Sequence, residues 1–348
     1  MLQRGDVVAG YTIERLLGRG GMSAVYLARH PRLPRWTALK LLGPEMFADS
    51  EIRGRFEREA EAVSRLEHPN IVAVHDRGLE RGAPWIAMQY VDGPDAESAT
   101  LPPAVAVQVV AQIAAALDHA HARGVLHRDV KPANILLERG PRVRALLTDF
   151  GIAQLHDAAT RLTRTGTFTA TLAYAAPEQL VGHPLDHRTD QYSLACTLFH
   201  FLTGAPPFPI DNPAALIQAT LRTAPPSLRI RRPGLPPALD TVFATALAKT
   251  QAQRYPSCVA FAQAAHRALT APVPGASPAR APRHPAPAPS NTRSAPPVSG
   301  GPGAPGDVVA PSRDWTARGA KGRSTPGAGP RPRWYWAAWG RRRRTTRR

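Results

Sequence analysis

Short apolar runs that alternate with polar residues dominate the first part of the chain. Such runs cover 11–17, 25–29 and 36–42, and glycines lie between the first two. Two further runs follow at 71–76 and 84–91. A period of two residues with glycine turns predicts antiparallel strands joined by hairpins. The chain therefore begins with a predicted β-rich segment.

Helical periodicity interrupts the strands at 51–67 and governs the chain beyond residue 100. In the clearest helix, apolar residues recur every three or four positions from Val105 to Ala120, and Gly124 follows as a stop signal. Four more helices are predicted, at 190–203, 213–222, 236–248 and 257–269. Strands followed by helices predict an α+β fold with a small β-rich lobe and a larger helical lobe.

The composition changes after Thr270. Residues 271–333 are rich in Pro, Gly, Ala and Arg and show no periodicity. Such a segment buries too little apolar surface to offset the entropy of ordering, so we predict a disordered linker. Residues 334–348 form an aromatic and polybasic tail. The predicted folded domain is therefore 8–270.

The chain is strongly basic, but most of the charge lies outside the predicted domain. Residues 271–348 hold 15 of the 44 Lys and Arg residues and 2 of the 26 Asp and Glu residues, which is +13 of the net charge of +18. The domain itself is only weakly basic, so its charge gives no argument for nucleic-acid binding.

Cysteine usage and the lengths of apolar runs bear on the compartment. Cys196 and Cys258 form no CxxC pair, so neither a zinc site nor a disulfide framework is indicated. The N-terminus turns polar at once, unlike a signal peptide. The longest apolar stretch, 104–117, is shorter than the ~20 residues that span a membrane. We therefore expect a cytoplasmic protein without a transmembrane span.

A glycine-rich turn and a strand lysine are the first candidates for chemistry. The turn from Gly18 to Val25 lets backbone N–H groups approach a phosphate, and an ordinary glycine-rich hairpin is the alternative. Lys40 lies among apolar residues on a predicted strand, and Glu59 of the following helix is its candidate partner. Such a pair would hold the ammonium toward the α- and β-phosphates of ATP. A solvent-facing strand lysine is the alternative.

Two later motifs supply what phosphoryl transfer requires. They are His127-Arg128-Asp129-Val130-Lys131-Pro132-Ala133-Asn134 and Asp149-Phe150-Gly151. The reaction needs an oriented hydroxyl, neutralised phosphate charge and held metal ions. Asp129 suits the base that accepts the hydroxyl proton, and Lys131 suits the cation near the γ-phosphate. The oxygens of Asn134 and Asp149 suit magnesium.

With these motifs the chain resembles the eukaryotic-like serine/threonine protein kinases of bacteria, especially the actinobacterial receptor-type kinases. The resemblance covers about residues 8–270 and implies a protein kinase catalytic domain with the bilobal protein-kinase fold. It includes four further motifs: His68-Pro69-Asn70, Ala176-Pro177-Glu178, Asp190-Gln191-Tyr192-Ser193-Leu194 and Arg254-Tyr255-Pro256-Ser257. It implies that Glu178 pairs with Arg254 and that Asp190 anchors the catalytic loop.

The resemblance also implies ATP as phosphoryl donor, Mg²⁺ or Mn²⁺ as cofactor and a non-specific serine/threonine protein kinase. Met88 would lie at the back of the adenine pocket, and backbone groups of Gln89 and Val91 would bond adenine. The other nucleotide-binding positions are Leu17, Gly18, Arg19, Gly20, Gly21, Met22, Ser23, Ala24 and Val25. Lys131 and Thr171 match the serine/threonine pattern, so the expected substrates are Ser and Thr hydroxyls of proteins.

A few positions depart from the family pattern without removing a catalytic residue. Ser23 replaces the third glycine of the glycine-rich turn, and Gln89 replaces the usual Glu of the hinge. Ala170 and Ala195 each replace a glycine. The region 93–103 is short and rich in small residues, so we expect a reduced helix after the hinge.

The segment 149–178 is rich in threonine. A phosphothreonine there would bring negative charge that pairs with Arg128 and orders the segment. By position, the resemblance favours Thr163 and Thr165 as autophosphorylation sites, with a homodimer as the corresponding assembly. A merely polar loop is the alternative.

The tail at 334–348 has four interpretations. A solvated charge run or an altered sequence end ranks first. The third interpretation is that the tail binds an anionic membrane surface, because aromatic and basic residues suit the membrane–water interface. The receptor-type relatives also carry a spanning helix after such a linker. Nucleic acid is the fourth and is not favoured.

Two other functions compete with an active kinase. One is a catalytically weak scaffold of the same fold, which is disfavoured because Lys40, Glu59, Asp129, Asn134 and Asp149 occur together. The other is a small-molecule phosphotransferase, which is disfavoured by the Ala-Pro-Glu motif and the threonine-rich segment.

Overall fold

A computed structural model of the chain describes residues 2–20, 23–43, 58, 60–80, 82–150 and 172–271. All of them lie within the unit Met1–Gly275. Several predicted features fall outside the described residues: Gly21, Met22, Glu59, Gly151, 160–171 with Thr163 and Thr165, the linker and the tail.

Within the described residues, six antiparallel strands form the sheet of the first lobe. They are β1 (Val7–Val8), β2 (Tyr11–Arg19), β3 (Ser23–Arg29), β4 (Trp36–Leu42), β5 (Val74–Glu80) and β6 (Ala83–Gln89). Their order across the sheet is β1-β2-β3-β4-β6-β5. Tyr11, Leu39 and Trp85 belong to the apolar core of this sheet. The three runs predicted in the first 42 residues are confirmed as β2, β3 and β4.

Strand β5 begins three residues later than the run at 71–76 predicts. Ile71 forms an isolated parallel bridge with Leu147 of the second lobe, and the ladder with β6 starts at Val74. Because β5 is an edge strand, polar residues such as Asp76 are exposed on it, and the period-two pattern is weak there.

The helix predicted at 51–67 is described only in its last part. Residues 60–64 are helical, so the helix ends three residues earlier than predicted. Ala60 and Val63 are buried, as the predicted apolar face requires.

Helices dominate the second lobe. They are α1 (Pro103–His121), α2 (Pro177–Val181), α3 (His187–Thr203), α4 (Pro213–Arg222), α5 (Ala238–Ala246) and α6 (Cys258–Thr270). A small sheet of β7 (Ile135–Glu138) and β8 (Arg144–Leu147) lies between α1 and α2 in the chain. Phe199, Phe243 and Phe261 stack edge to face in the core. The four helices predicted after 190 are confirmed within three residues, and the two lobes confirm the α+β bilobal fold.

Helix α1 is longer than its apolar run at 104–117 suggests. It has 19 residues, and among the described helices it is the one whose length and apolar composition would suffice to cross a membrane. The expectation that this stretch is too short is therefore wrong. Nine residues of α1 are buried inside the lobe, which is the behaviour of a core helix.

Candidate active site

Asp190 on α3 is fully buried and holds the loop that follows α1. Its Oδ2 accepts a hydrogen bond from the His127 amide at 2.8 Å, and its Oδ1 accepts one from the Arg128 amide at 2.7 Å. His121 Nε2 lies 2.8 Å from Oδ2. Burial favours a raised pKa for Asp190, but the hydrogen bond and charge of His121 outweigh it and lower the pKa below its usual value. Asp190 thus anchors the loop as a carboxylate.

Backbone strain marks the two motifs. Arg128 and Asp149 adopt left-handed backbone conformations, with φ of 66° and 61°. This region costs a residue with a side chain about 1–2 kcal/mol. The surrounding hydrogen bonds stabilise it at Arg128, and strain of this kind is concentrated at functional sites.

His127 connects the two motifs from a fully buried position. Its Nε2 lies 3.0 Å from Thr148 O, its Nδ1 accepts the Asp129 amide at 3.2 Å, and its ring centroid lies 4.7 Å from that of Phe150. Burial lowers the pKa of His127. A neutral ring that donates through Nε2 and accepts through Nδ1 fits both bonds.

Two donors converge on Asp129. Lys131 Nζ donates to Asp129 Oδ2 at 2.8 Å, and Asn134 Nδ2 donates to the same oxygen at 3.1 Å. Asn134 Nδ2 also bonds the Asp129 carbonyl at 2.8 Å. The structure therefore brings together three of the predicted catalytic and metal residues within one loop, with the carboxylate held between cationic and amide donors.

Lys40 reaches from the first lobe to the second. Its Nζ lies 2.6 Å from Asp149 Oδ1. Burial favours a raised pKa for Asp149, but the charge and hydrogen bond of Lys40 outweigh it and lower the pKa. The sequence pointed to Glu59 as the partner of Lys40, and that residue lies outside the described part of the chain. The contact with Asp149 was not predicted, because 109 residues separate the two positions.

An apolar cluster is formed by residues from both lobes. It comprises Ala38, Val72, Met88, Val91 and Leu146, with Leu17, Val25 and Leu136 packed against them. The sequence predicted Leu17, Val25, Met88 and Val91 as adenine-site residues, and it did not single out the other four members, Ala38, Val72, Leu136 and Leu146. A local signal existed for Ala38, which lies two residues before Lys40 on β4, because alternate strand residues share a face.

The glycine-rich turn is described on both sides of residues 21 and 22. Gly18 pairs with Val25 and Arg19 with Ala24 in the β2–β3 ladder. The Gly20 amide donates to Ser23 O at 2.8 Å and closes the turn.

The chain between β6 and α1 forms no helix at residues 90–102. The Leu137 amide donates to Pro94 O at 2.9 Å, and a Cβ on Gly93 would lie 1.8 Å from Leu137 O. Only glycine permits this close approach to β7. We expected a reduced helix in this region, and residues 93–102 contain no helix at all.

The hinge groups fit a nucleotide base. The Gln89 amide donates to Ala73 O at 2.8 Å, so a bond from this residue to adenine would have to use its carbonyl. Val91 is buried, and its amide donates to no backbone carbonyl among the described residues. An apolar cluster beside a buried amide suits the flat face and polar edge of adenine.

Asn134 and Asp149 offer oxygen ligands of the kind that Mg²⁺ prefers. Asn134 uses Nδ2 for Asp129, so its Oδ1 is the atom available for a cation. The Thr148 amide donates to Asn134 O at 2.9 Å. This bond holds the segments that carry Asn134 and Asp149 side by side. These groups fit a divalent cation bound with nucleotide phosphates.

Glu178 and Arg254 form a buried pair beneath α2. Arg254 donates to both carboxylate oxygens at 2.8 Å, and Thr189 Oγ1 donates to Oε1 at 2.8 Å. Burial favours a raised pKa for Glu178, but the Arg254 bonds outweigh it and lower the pKa. This pairing fixes the end of the segment 149–178.

A second cluster, formed by Asp118, His121 and Cys258, offers three potential metal ligands. The two carboxylate oxygens of Asp118 accept the amides of Cys258 and Val259, at 2.9 and 3.0 Å. Burial disfavours the charged imidazole, but the Asp118 carboxylate, with Oδ1 3.8 Å from Nδ1, and the bond between Nε2 and Asp190 raise the pKa of His121 to about 9. Asp118 therefore caps the start of α6, and the carboxylates of Asp118 and Asp190 favour the protonated form of His121.

Comparison with known proteins agrees with this geometry. The family model described as protein kinase domain matches residues 11–257. Serine/threonine-protein kinase PknF of Mycobacterium tuberculosis strain H37Rv is 52% identical over 272 residues, which cover 76% of this chain and 57% of PknF. Serine/threonine-protein kinase PknJ of Mycobacterium bovis is 53% identical over 277 residues, which cover 77% of this chain and 47% of PknJ. The chain thus spans about half the length of these curated relatives.

Solved structures give the same result for the fold. The crystal structure of the Mycobacterium tuberculosis PknI kinase domain is 44% identical, with a TM-score of 0.63. The similarity covers 77% of this chain and 99% of that domain.

Proposed function

Because the chain belongs to the protein kinase domain family, we propose that it transfers the γ-phosphoryl group of ATP to serine and threonine hydroxyls of proteins. The observation that carries the proposal is the Lys131–Asp129 contact of 2.8 Å, on a loop anchored by Asp190. A carboxylate beside an ammonium group suits a reaction in which a hydroxyl loses a proton while negative charge builds on a phosphoryl group.

Each group has a distinct role in this proposal. Asp129 orients the substrate hydroxyl and accepts its proton, and Lys131 stabilises charge on the transferred group. Lys40 holds the α- and β-phosphates, with Glu59 as its proposed second partner. Asn134 and Asp149 bind Mg²⁺ or Mn²⁺, which neutralises phosphate oxygens when bound.

The nucleotide would lie between the apolar cluster and the glycine-rich turn. Gln89 and Val91 bond adenine through their backbone groups, and Met88 lies behind the base. The turn positions complete the nucleotide site: Leu17, Gly18, Arg19, Gly20, Gly21, Met22, Ser23, Ala24 and Val25.

Regulation, assembly and location extend the proposal. Thr163 and Thr165 are the proposed autophosphorylation sites, with a homodimer as the assembly in which one copy modifies the other. We place the kinase domain in the cytoplasm, with an anionic membrane surface as a partner of the 334–348 tail. Cys196 and Cys258 are free, buried thiols, which suits a reducing compartment.

Transfer of radiolabelled phosphate from ATP tests the proposal. Wild type, Asp129→Asn and the exposed control Asp211→Asn are offered a protein acceptor and, separately, small-molecule hydroxyl acceptors. We expect labelled phosphoserine and phosphothreonine from wild type and from Asp211→Asn, and roughly 10²-fold or greater loss in Asp129→Asn.

Three outcomes would reject parts of the proposal. Equal transfer by Asp129→Asn removes Asp129 from its role. Labelling of small molecules alone identifies a small-molecule phosphotransferase. Nucleotide binding without transfer to any acceptor identifies a scaffold of the kinase fold.

A further inference from the structure

Gln179 on α2 forms a hydrogen bond at each end of its side-chain amide. Its Oε1 accepts the Ala176 amide at 2.9 Å, which caps the helix from its third residue. Its Nε2 donates to Arg128 O at 2.8 Å. The cap fixes the rotation of the amide group, so that the donor faces the loop of Asp129.

The bond to Arg128 O acts on one peptide plane. Arg128 O and Asp129 N belong to the same planar unit, and the Asp129 amide donates to His127 Nδ1 at 3.2 Å. The plane is therefore held at its oxygen by Gln179 and at its nitrogen by His127. Arg128 adopts a left-handed conformation on one side of this plane, and Asp129 lies on the other.

Asp190 cannot fix this plane alone. Its two bonds reach the His127 and Arg128 amides, which belong to the two preceding peptide units. Rotation about the Cα of Arg128 would reorient the next plane and move the Asp129 side chain with it. Gln179 opposes that rotation from an element outside the loop.

We propose that Gln179 is a positioning residue for Asp129: it holds the Arg128–Asp129 peptide plane and thereby couples α2 to the orientation of the catalytic carboxylate. The inference rests on the proposed kinase function. It predicts an effect on kcat rather than on the KM for ATP, because none of the described hydrogen bonds of Gln179 reaches a proposed nucleotide-binding residue.

Two substitutions separate positioning from helix capping. Gln179→Met removes both hydrogen bonds at similar volume, and we expect roughly tenfold lower kcat with an unchanged KM for ATP. Gln179→Glu keeps an oxygen for the Ala176 amide, but it can donate to Arg128 O only when protonated. Because an ordinary glutamate is already ionised above about pH 5.5, this variant should show the same roughly tenfold loss of kcat at pH 7.5 as Gln179→Met. Gln263→Glu, at an exposed position of α6, is the matched control for the added charge and should keep the wild-type kcat.

A second measurement keeps the test independent of activity. Amide hydrogen exchange of a peptide covering residues 127–131 should be faster in Gln179→Met than in wild type, at matched fractions folded in thermal melts. An unchanged kcat for Gln179→Glu or for Gln179→Met would overturn the inference. If wild type transfers no phosphate, the proposed function fails. The role of Gln179 is then decided by amide hydrogen exchange alone, and an unchanged exchange rate of residues 127–131 in Gln179→Met would overturn it.

Discussion

Lys40 Nζ and Asp149 Oδ1 lie 2.6 Å apart and join strand β4 of the first lobe to the loop after β8 of the second. Lys40 is largely buried, with 13% of its side chain exposed. The pair places a cation and a carboxylate that we propose to bind metal at the same point of the cleft. Any bound phosphate and divalent cation would share these two groups.

The first prediction concerns this pair. Lys40→Met should lower kcat/KM for ATP by roughly 10²–10³-fold, because it removes a fixed charge that stabilises phosphate oxygens. Asp149→Asn should cause a loss of similar size. The fold-loss of the double variant should be smaller than the product of the two single fold-losses, because both residues act on the same nucleotide phosphates. Steady-state kinetics measures all three. A Lys40→Met enzyme within twofold of wild type would contradict this role.

The second prediction concerns the buried pair of Glu178 and Arg254. Arg254→Met leaves the Glu178 carboxylate buried without its partner, and we expect the free energy of unfolding to fall by about 3–5 kcal/mol. Denaturant titration measures it. Arg139→Met is the control, since Arg139 pairs with Asp92 at the surface with both side chains more than half exposed, and its loss should cost less than about 1 kcal/mol.

A double variant tests the reason for that loss. Glu178→Gln combined with Arg254→Met removes the unpaired charge and should recover part of the stability. If the double variant is no more stable than Arg254→Met, lost packing of Arg254 over the Tyr192 ring, 4.8 Å from its centroid, explains the effect instead.

Much of the fold follows from local sequence signals, and the misses have physical causes. Helix α4 matches its predicted bounds because its apolar stripe, the Asn212 cap and Pro213 all agree. Strand β5 was misplaced because an edge strand needs no alternating pattern. At the site, motif spacing identified Asp129, Asn134 and Asp149. The Lys40–Asp149 pair could not be predicted, since it depends on how the two lobes close.

The contact between Gln179 and Arg128 could not be predicted from the sequence either. The Gln179 side chain bonds Arg128 across 51 residues of chain, and no local pattern distinguishes it from an ordinary third residue of a helix. Helical or strand periodicity reports which residues are buried. It does not report which buried donor meets which carbonyl.

The third prediction concerns His121 and pH. Its pKa is raised from an ordinary 6.5 to about 9 in the folded protein. A raised pKa means that the charged ring stabilises the fold fully below about pH 6.5, and that this stabilisation is lost as pH rises through 9. We therefore expect the free energy of unfolding to decrease between pH 6.5 and 9 in wild type, by up to about 3 kcal/mol.

His121→Gln should remove most of that pH dependence, because glutamine keeps hydrogen bonding but does not titrate. His183→Gln is the matched control at an exposed position and should keep the wild-type slope. Urea titrations at several pH values give each slope. An unchanged slope in His121→Gln would assign the pH dependence to other groups.

The last prediction concerns Met88, which belongs to the apolar cluster and also lines a cavity bounded by Lys40, Ile86 and Phe150. Met88→Ala removes the side chain that forms the wall between the apolar cluster and this cavity. The variant should therefore use an ATP analogue with a benzyl group on N6 at least roughly tenfold better than wild type does. Its free energy of unfolding should fall by about 2–5 kcal/mol. Transfer of labelled phosphate from the analogue measures the gain. Ile86→Ala is the control, because Ile86 lines the cavity without belonging to the apolar cluster, and its truncation enlarges the space but leaves the wall in place. Equal gains in both variants would mean that Met88 does not separate adenine from the cavity.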